Sequence, residues 1–321
     1  MADEEVNTNS LTMMMAKSDD QTTRLNDRLM GCFMGLVVGD ALGGPVEFAL
    51  RDTFPTVTGM SAGGKHRLSV GQWTDDTSMA CCLADSLIRC HGYKALDVMH
   101  TWQRWWREGY WSSKPRAFGV GQTIFMALAR FGKTNDPYAG VDLPNGASNG
   151  ALMRLAPLAI YYHDNTQLMR EIMIDSTRLT HGHPEVITAS GYFSHVLSGA
   201  IQGKAKEQLL TIPYDSKDSD ALKAIAQGAY RHKTRDQIES TGYVVHSLEA
   251  SLWAFEQTTN FKDALLLAVN LGGDADTIAA ITGQIAGAYY GLSEIPNEWL
   301  SELHDGDALK ALCEKLGEAK K

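Results

Sequence analysis

Apolar residues in this chain return every three or four positions and almost never every second one. That period buries one stripe of a helix and leaves a strand with no coherent face, so the chain reads as all-α. Leu29-Met30, Phe33-Met34 and Val37-Val38 repeat in this way, and the segment Asp40 to Pro45 then breaks the pattern. Further helices are predicted at Thr77–Cys90, Lys94–Glu108, from Gly121 to about Arg130, Ala151–His163, Asn165–Leu179 and Pro184–Ile201. The same pattern returns at Ala221–Tyr230, Val244–Phe255, Phe261–Ala268 and Thr277–Tyr290. Trp102, Trp105 and Trp106 supply core bulk.

Between these elements lie segments rich in Gly, Thr, Pro and Asn. Asp52 to Trp73 reads as a long loop, and loops of that length inside a compact domain are usually functional. The polar stretch Gly203 to Thr241 reads as a surface excursion. No linker divides the chain, so one domain is expected over residues 25–321, preceded by a polar, disordered extension over residues 1–24. No run of about 18 uninterrupted apolar residues is present, and no membrane span is expected.

The formal net charge of -9 argues against a nucleic-acid surface or attachment to an anionic membrane. A phosphate-bearing ligand would therefore have its charge met locally, by cations or backbone amides. The five cysteines, Cys32, Cys81, Cys82, Cys90 and Cys313, form no CxxC pair and read as thiols of a reducing cytosol. Zinc is not indicated, and a cytoplasmic monomer is expected.

Two acidic clusters stand out. Thr74-Asp75-Asp76-Thr77 follows Gly71-Gln72-Trp73, and Asp274-Ala275-Asp276-Thr277 follows Gly272-Gly273; each opens a helix. Helix capping accounts for one such side chain at a contribution of about 0.5–2 kcal/mol. It does not account for two carboxylates and a hydroxyl at both places. If the clusters meet, their like charges repel unless a cation neutralises them, and an oxygen-only set favours Mg²⁺, Mn²⁺ or Ca²⁺. The segment Gly39 to Phe48 offers a further carboxylate, Glu47, for which a solvated turn residue and a site residue are equally good readings.

Taken in order, Gly35–Phe48, Gly71–Leu83, Asn149–Pro157, Leu179–His181 and Leu271–Gly291 resemble the ADP-ribosylglycohydrolase family across nearly the whole chain beyond the extension. The resemblance implies a single-domain orthogonal helical bundle and a centre of two Mg²⁺ or Mn²⁺ ions. It carries Thr74, Asp75, Asp76, Asp274, Asp276 and Thr277 across as metal ligands, and Glu47 or Asp76 as the catalytic carboxylate. The implied substrate is an ADP-ribosylated protein or an ADP-ribose-containing small molecule, cleaved at the anomeric carbon of the distal ribose.

The loops Ala117–Gly121 and Asn145–Ala151 precede helices and can offer backbone amides to a pyrophosphate. Gly119, Gly121, Asn149, Gly150, Ala151, Met153 and His181 are the substrate-binding candidates. Gly119 stands where arginine-linkage hydrolases of the family carry Asp, which points toward the branch acting on serine-linked ADP-ribose and related esters. His183 reads as part of a new helix start. Two rivals are a non-catalytic ADP-ribose-binding or structural relative, and a haloacid-dehalogenase-type phosphatase using Asp274 after a strand at Leu265–Val269. Only 45 residues follow Asp276, too few for the rest of that second fold.

Overall fold

A computed structural model describes residues 2–319, with side chains from Asp20 onward. It contains helices α1 (Ala2–Gly43), α2 (Asp75–Cys90), α3 (Ala95–Glu108), α4 (Gln122–Thr134), α5 (Ala156–Tyr161), α6 (Thr166–Arg178) and α7 (Pro184–Ile201). These are followed by α8 (Lys206–Leu209), α9 (Asp220–Ala226), α10 (Val244–Glu256), α11 (Phe261–Val269), α12 (Ala275–Tyr290), α13 (Asn297–Glu302) and α14 (Gly306–Glu318). Among the described residues no strand forms, only three isolated bridges. The all-α reading holds. Leu265–Val269 lies in α11, which removes the strand the phosphatase reading requires.

Most of the N-terminal extension falls on side chains outside the described residues. The backbone of residues 2–24 runs as the start of α1, and residues 20–24 are exposed. Further along α1, the window within residues 20–46 is long and apolar enough to cross a bilayer by length and composition. Yet 83% of it is buried inside the molecule, so its apolar surface is spent on the core.

The core is organised on α1 and α12, which lie antiparallel at very short range. Gly31, Gly35, Gly39 and Gly43 recur every fourth residue on α1 and meet Gly287, Gly283, Ala279 and Asp276 on α12. A Cβ at Gly35 would stand 2.1 Å from the Gly283 carbonyl oxygen, and one at Gly39 2.1 Å from that of Ala279. Glycine is what lets these backbones touch. The last step places Gly43 against the Asp276 backbone, so the seam ends at the start of α12.

Around this pair pack α2, α5, α7, α10, α11 and α14. Trp102 and Trp105 of α3 are fully buried as expected, while Trp106 is half-buried and packs against the core. Helix ends follow local chemistry: Asn165 accepts from Leu168 N–H, Asn260 accepts from Asp263 N–H, and Asn135 closes α4 in the left-handed region. Residues 52–73 form the expected long loop. The excursion at 203–241 carries α8 and α9, and its end returns to the loop before α12. There Arg51 donates to the carbonyls of Leu271, Arg235 and Ile238.

Candidate active site

Helix α2 begins two residues earlier than predicted, which puts Asp75 and Asp76 in its first turn, and Asp276 occupies the first turn of α12. Both positions suit negative charge, because the unpaired N–H groups of a helix start carry positive potential. Neither helix is capped by its own leading side chain: Thr74 and Asp274 make no capping hydrogen bond. Capping therefore does not explain the clusters.

The cap of α2 comes from α1. The Asp40 carboxylate accepts from Thr74 N–H at 2.9 Å, Thr77 N–H at 2.9 Å, Thr74 Oγ1 at 2.8 Å and Thr77 Oγ1 at 2.6 Å. Asp40 is fully buried; burial raises its pKa while these four donors pull it down. The sequence reading ended the first helix at Asp40 and passed over this residue. Its signal was a carboxylate four residues after Leu36 on the buried stripe of α1.

The two distant clusters meet. Thr74 Oγ1 lies 3.2 Å from Asp76 Oδ2 and 3.4 Å from Asp276 Oδ2, across 202 positions of sequence. One carboxylate oxygen from each of Asp40, Asp76 and Asp276 falls within 4.8 Å of the others, and so does one from each of Glu47, Asp274 and Asp276. Asp276 is common to both groups. Burial, then mutual repulsion, pushes the carboxyls of Asp75, Asp76 and Asp276 well above the usual range. Asp76 Oδ1 is buried with no hydrogen-bond partner. An orphaned oxygen among crowded carboxylates, with neither His nor Cys in either group, is the environment a hard divalent cation would satisfy.

Glu47 is set at the edge of this centre by backbone pairing. Phe48 N–H donates to the Gly273 carbonyl at 2.7 Å, and Gly273 N–H donates to Ala49 at 2.8 Å. Gly273 has φ +65°, and a Cβ there would stand 1.8 Å from the Ser240 carbonyl oxygen, so only glycine fits. Burial, then Asp274 and Asp40, push the Glu47 carboxyl up to about 8. His66 Nε2 lies 2.9 Å from Glu47 Oε2, a close contact without the alignment of a hydrogen bond.

A cleft of about 300 Å³ opens beside the carboxylates, lined among others by Glu47, Phe48, Asp75, Asp274, Asp276 and Thr277. Gly119, Gly121, Asn149, Gly150 and Met153 line it as well. Ala151 is fully buried outside the lining. Thr74 and Asp76 sit behind the cleft wall. The start of α4, at Gln122, Thr123 and Ile124, faces the cleft with no side-chain cap. Its amides, expected from the loop Ala117–Gly121 that precedes this helix, are the most direct anion cradle in the site.

Two candidates make hydrogen bonds that the sequence did not show. Asn149 turns its amide away from the phosphate role: Nδ2 donates to Asp274 Oδ2 at 2.6 Å and Ser247 Oγ at 2.9 Å, and its N–H donates to Gly242 O at 3.0 Å. It holds a carboxylate in place. His181 is fully buried, with Nε2 2.9 Å from the cleft residue Ser148 and Nδ1 2.7 Å from Thr180. Arg154 donates to that same Thr180 hydroxyl at 2.6 Å. Burial, then Arg154, lowers the His181 pKa to about 3, so the ring is neutral, and its link to the cleft runs through Ser148. His183 caps α7 as expected of a helix start, its ring accepting from Glu185 N–H.

Gly119 also has a physical reason to be glycine. Its φ is +75°, and a Cβ would stand 2.4 Å from Asp75 Oδ1. The residue reports how closely its loop approaches Asp75, and it is a poor guide to linkage. Gly119→Ala is expected to cost about 1 kcal/mol of stability and, by displacing Asp75, about 10²-fold in turnover. Thermal denaturation and kcat check both; unchanged turnover would free Asp75 from any role.

A family model for ADP-ribosylglycohydrolase matches residues 21–321. A protein of Serratia proteamaculans named ADP-ribosylarginine hydrolase Tri1 is 39% identical over 290 residues, covering 90% of this chain and 79% of that one. The ADP-ribosyl-[dinitrogen reductase] glycohydrolase of Rhodospirillum rubrum is 32% identical, covering 87% of this chain and 91% of its own. A solved structure titled ADP-ribosylglycohydrolase-related protein complex superposes with a TM-score of 0.84 at 41% identity. It covers 93% of this chain and 100% of that one.

Proposed function

The chain belongs to the ADP-ribosylglycohydrolase family and is a hydrolase of ADP-ribosyl linkages; from that premise we propose that it releases ADP-ribose from arginine side chains with two divalent cations. The observation that carries the metal reading is Asp276, which stands in both carboxylate groups. The arginine linkage is favoured by the name of the Serratia relative, against the serine branch that Gly119 first suggested.

Thr74, Asp75, Asp76, Asp274, Asp276 and Thr277 would hold the ions. Bound Mg²⁺ or Mn²⁺ would supply Lewis-acid polarisation and a water of lowered pKa. Glu47 faces the cleft with its carboxyl pushed up to about 8, suited to taking and returning a proton near neutrality. Asp76 stands outside the cleft lining, which leaves that role to Glu47. Asn149 fixes Asp274, and neutral His181 holds the hydroxyl of the cleft residue Ser148, which donates to Thr123 Oγ1. The amides at the start of α4 would cradle the pyrophosphate. The surrounding carboxylates would stabilise positive charge growing at the anomeric carbon.

The direct experiment offers ADP-ribosyl-arginine and ADP-ribosyl-serine peptides with Mg²⁺, Mn²⁺ and excess EDTA. Arginine-linked release that falls below about 1% in EDTA is expected, in line with a role for the ions in activating the attacking water. Undiminished turnover in EDTA would end the metal scheme, and faster serine release would end the linkage assignment.

Protons and cations compete for these carboxylates. Their raised pKa values mean that protons leave as pH rises toward and past Glu47 at about 8, and cation affinity grows with that loss. In the metal-free protein the same shift makes folding stability greatest at low pH, with this contribution lost as pH rises through the folded-state values. The Mg²⁺-induced rise in melting temperature is therefore expected to increase from pH 5 to pH 8. A shift independent of pH would mean the ion binds elsewhere.

A further inference from the structure

The two loops beside Glu47 and Gly119 have a charge character opposite to the rest of the molecule. Residues 53–73 contain Lys65, His66 and Arg67, residues 109–121 contain Lys114 and Arg116, and neither segment contains Asp or Glu. This occurs in a chain of net charge -9. Lys114 ties the loops together: its ammonium donates to the carbonyls of His66 and of Arg67, the latter at 3.2 Å. The pair is thereby one surface.

It is a surface at the mouth of the cleft. Lys65 Nζ stands 4.2 Å from the centre of the Phe48 ring, and Phe48 lines the cleft while remaining 57% exposed. His66 touches Glu47 on one side and packs its ring 5.2 Å from Phe118 on the other. Arg116 is three residues before Gly119. Lys65, Arg67 and Arg116 are exposed, and none of them has a carboxylate partner among the ion pairs of the described residues.

Resting on the hydrolase reading above, we propose that this rim binds an acidic stretch of polypeptide flanking the ADP-ribosylated side chain. Three exposed cations without a carboxylate partner, one of them over an exposed aromatic ring, suit a short acidic segment with some apolar character. Screening confines the field to about 8–10 Å at physiological salt, so the rim acts on the residues next to the modification. An extended polyanion such as a nucleic acid would run onto the acidic remainder of the surface and be repelled.

The test compares three substrates: free ADP-ribosyl-arginine, and ADP-ribosyl-arginine peptides with Asp/Glu-rich or with Ser/Ala flanks. Each is assayed with Mg²⁺ on the wild type and on the double variant R67E/R116E, which leaves Lys65, whose charge acts on Glu47, in place. Wild-type KM is expected to be about tenfold lower for the acidic flank at low salt, and that preference should collapse at high salt. The double variant should lose most of the preference, while its kcat and KM on free ADP-ribosyl-arginine stay at wild-type values. Equal KM for both flanks in the wild type would overturn the proposal. So would a matching rise in KM for the free substrate in the variant, which would assign the rim to ADP-ribose itself. Duplex DNA inhibiting more strongly than an unmodified acidic peptide would overturn it as well. Failure of the wild type on all three substrates would sink the linkage assignment or the hydrolase reading instead, which keeps the two claims separable.

Discussion

Asp276→Asn is expected to lower hydrolysis by about a thousandfold or more, the equivalent of several kcal/mol of electrostatic stabilisation lost at the reacting centre. No other carboxylate stands in both groups of this site, one with Asp40 and Asp76 and one with Glu47 and Asp274. Asparagine keeps the size of the side chain and the oxygen that accepts from Thr277 N–H at 2.9 Å, so the start of α12 should survive. It also removes one of several buried like charges. In EDTA the variant should therefore melt at or above the wild-type temperature, because the repulsion that raises the neighbouring carboxyls is relieved. With Mg²⁺ the order should reverse, since the wild type gains binding energy that the variant cannot. This crossing of the two melting curves separates loss of a cation site from ordinary damage. A variant that hydrolyses at wild-type rate, or that keeps the full Mg²⁺ shift, would remove Asp276 from the centre.

Much of this arrangement was legible in the sequence, and the parts that were not share a cause. Helix identity followed from apolar spacing, and the doubled carboxylates at Asp75-Asp76 and Asp274/Asp276 exceeded what capping needs. Spacing alone could not bring Thr74 within 3.4 Å of Asp276; that took the fold, or the family resemblance. Asp40 was missed because Gly43, Gly44 and Pro45 suggested an earlier helix end, whereas α1 runs on to Gly43 and carries Asp40 under α2. For Asn149 and His181, named as substrate-binding candidates, the sequence could not show the hydrogen bonds to Asp274 and Ser148, since hydrogen-bond direction is a property of three dimensions. α13 and α14 were not among the predicted helices, and the apolar stripe of α14 is short and interrupted by Lys and Glu. The glycine spacing of α1 was visible throughout, but a row of glycines names no partner until a second helix lies across it.

That row yields the largest expected effect on stability. Gly35→Val places a branched side chain where even a Cβ would stand 2.1 Å from the Gly283 carbonyl oxygen and 2.9 Å from its carbon. The obstacle is backbone, not a side chain that can swing away, and a Cβ at Gly283 would in turn stand 2.0 Å from the Gly35 carbonyl oxygen. The helices would have to part along a seam from Gly31 to Gly43, opening gaps in a core that tolerates few. A loss of about 4 kcal/mol or more follows, enough to lower the melting temperature by about 10 °C in a chain of this length. Gly317→Ala on α14 is the control, because a Cβ there meets nothing within 4 Å. An exposed helix position should be unchanged or stabilised by up to about 1 kcal/mol. The seam also ends on the Asp276 backbone, so Gly35→Val protein that remains folded should bind Mg²⁺ more weakly than wild type. A Gly35→Val protein with wild-type melting and wild-type Mg²⁺ response would mean that the close approach of α1 and α12 neither stabilises the fold nor sets the carboxylates.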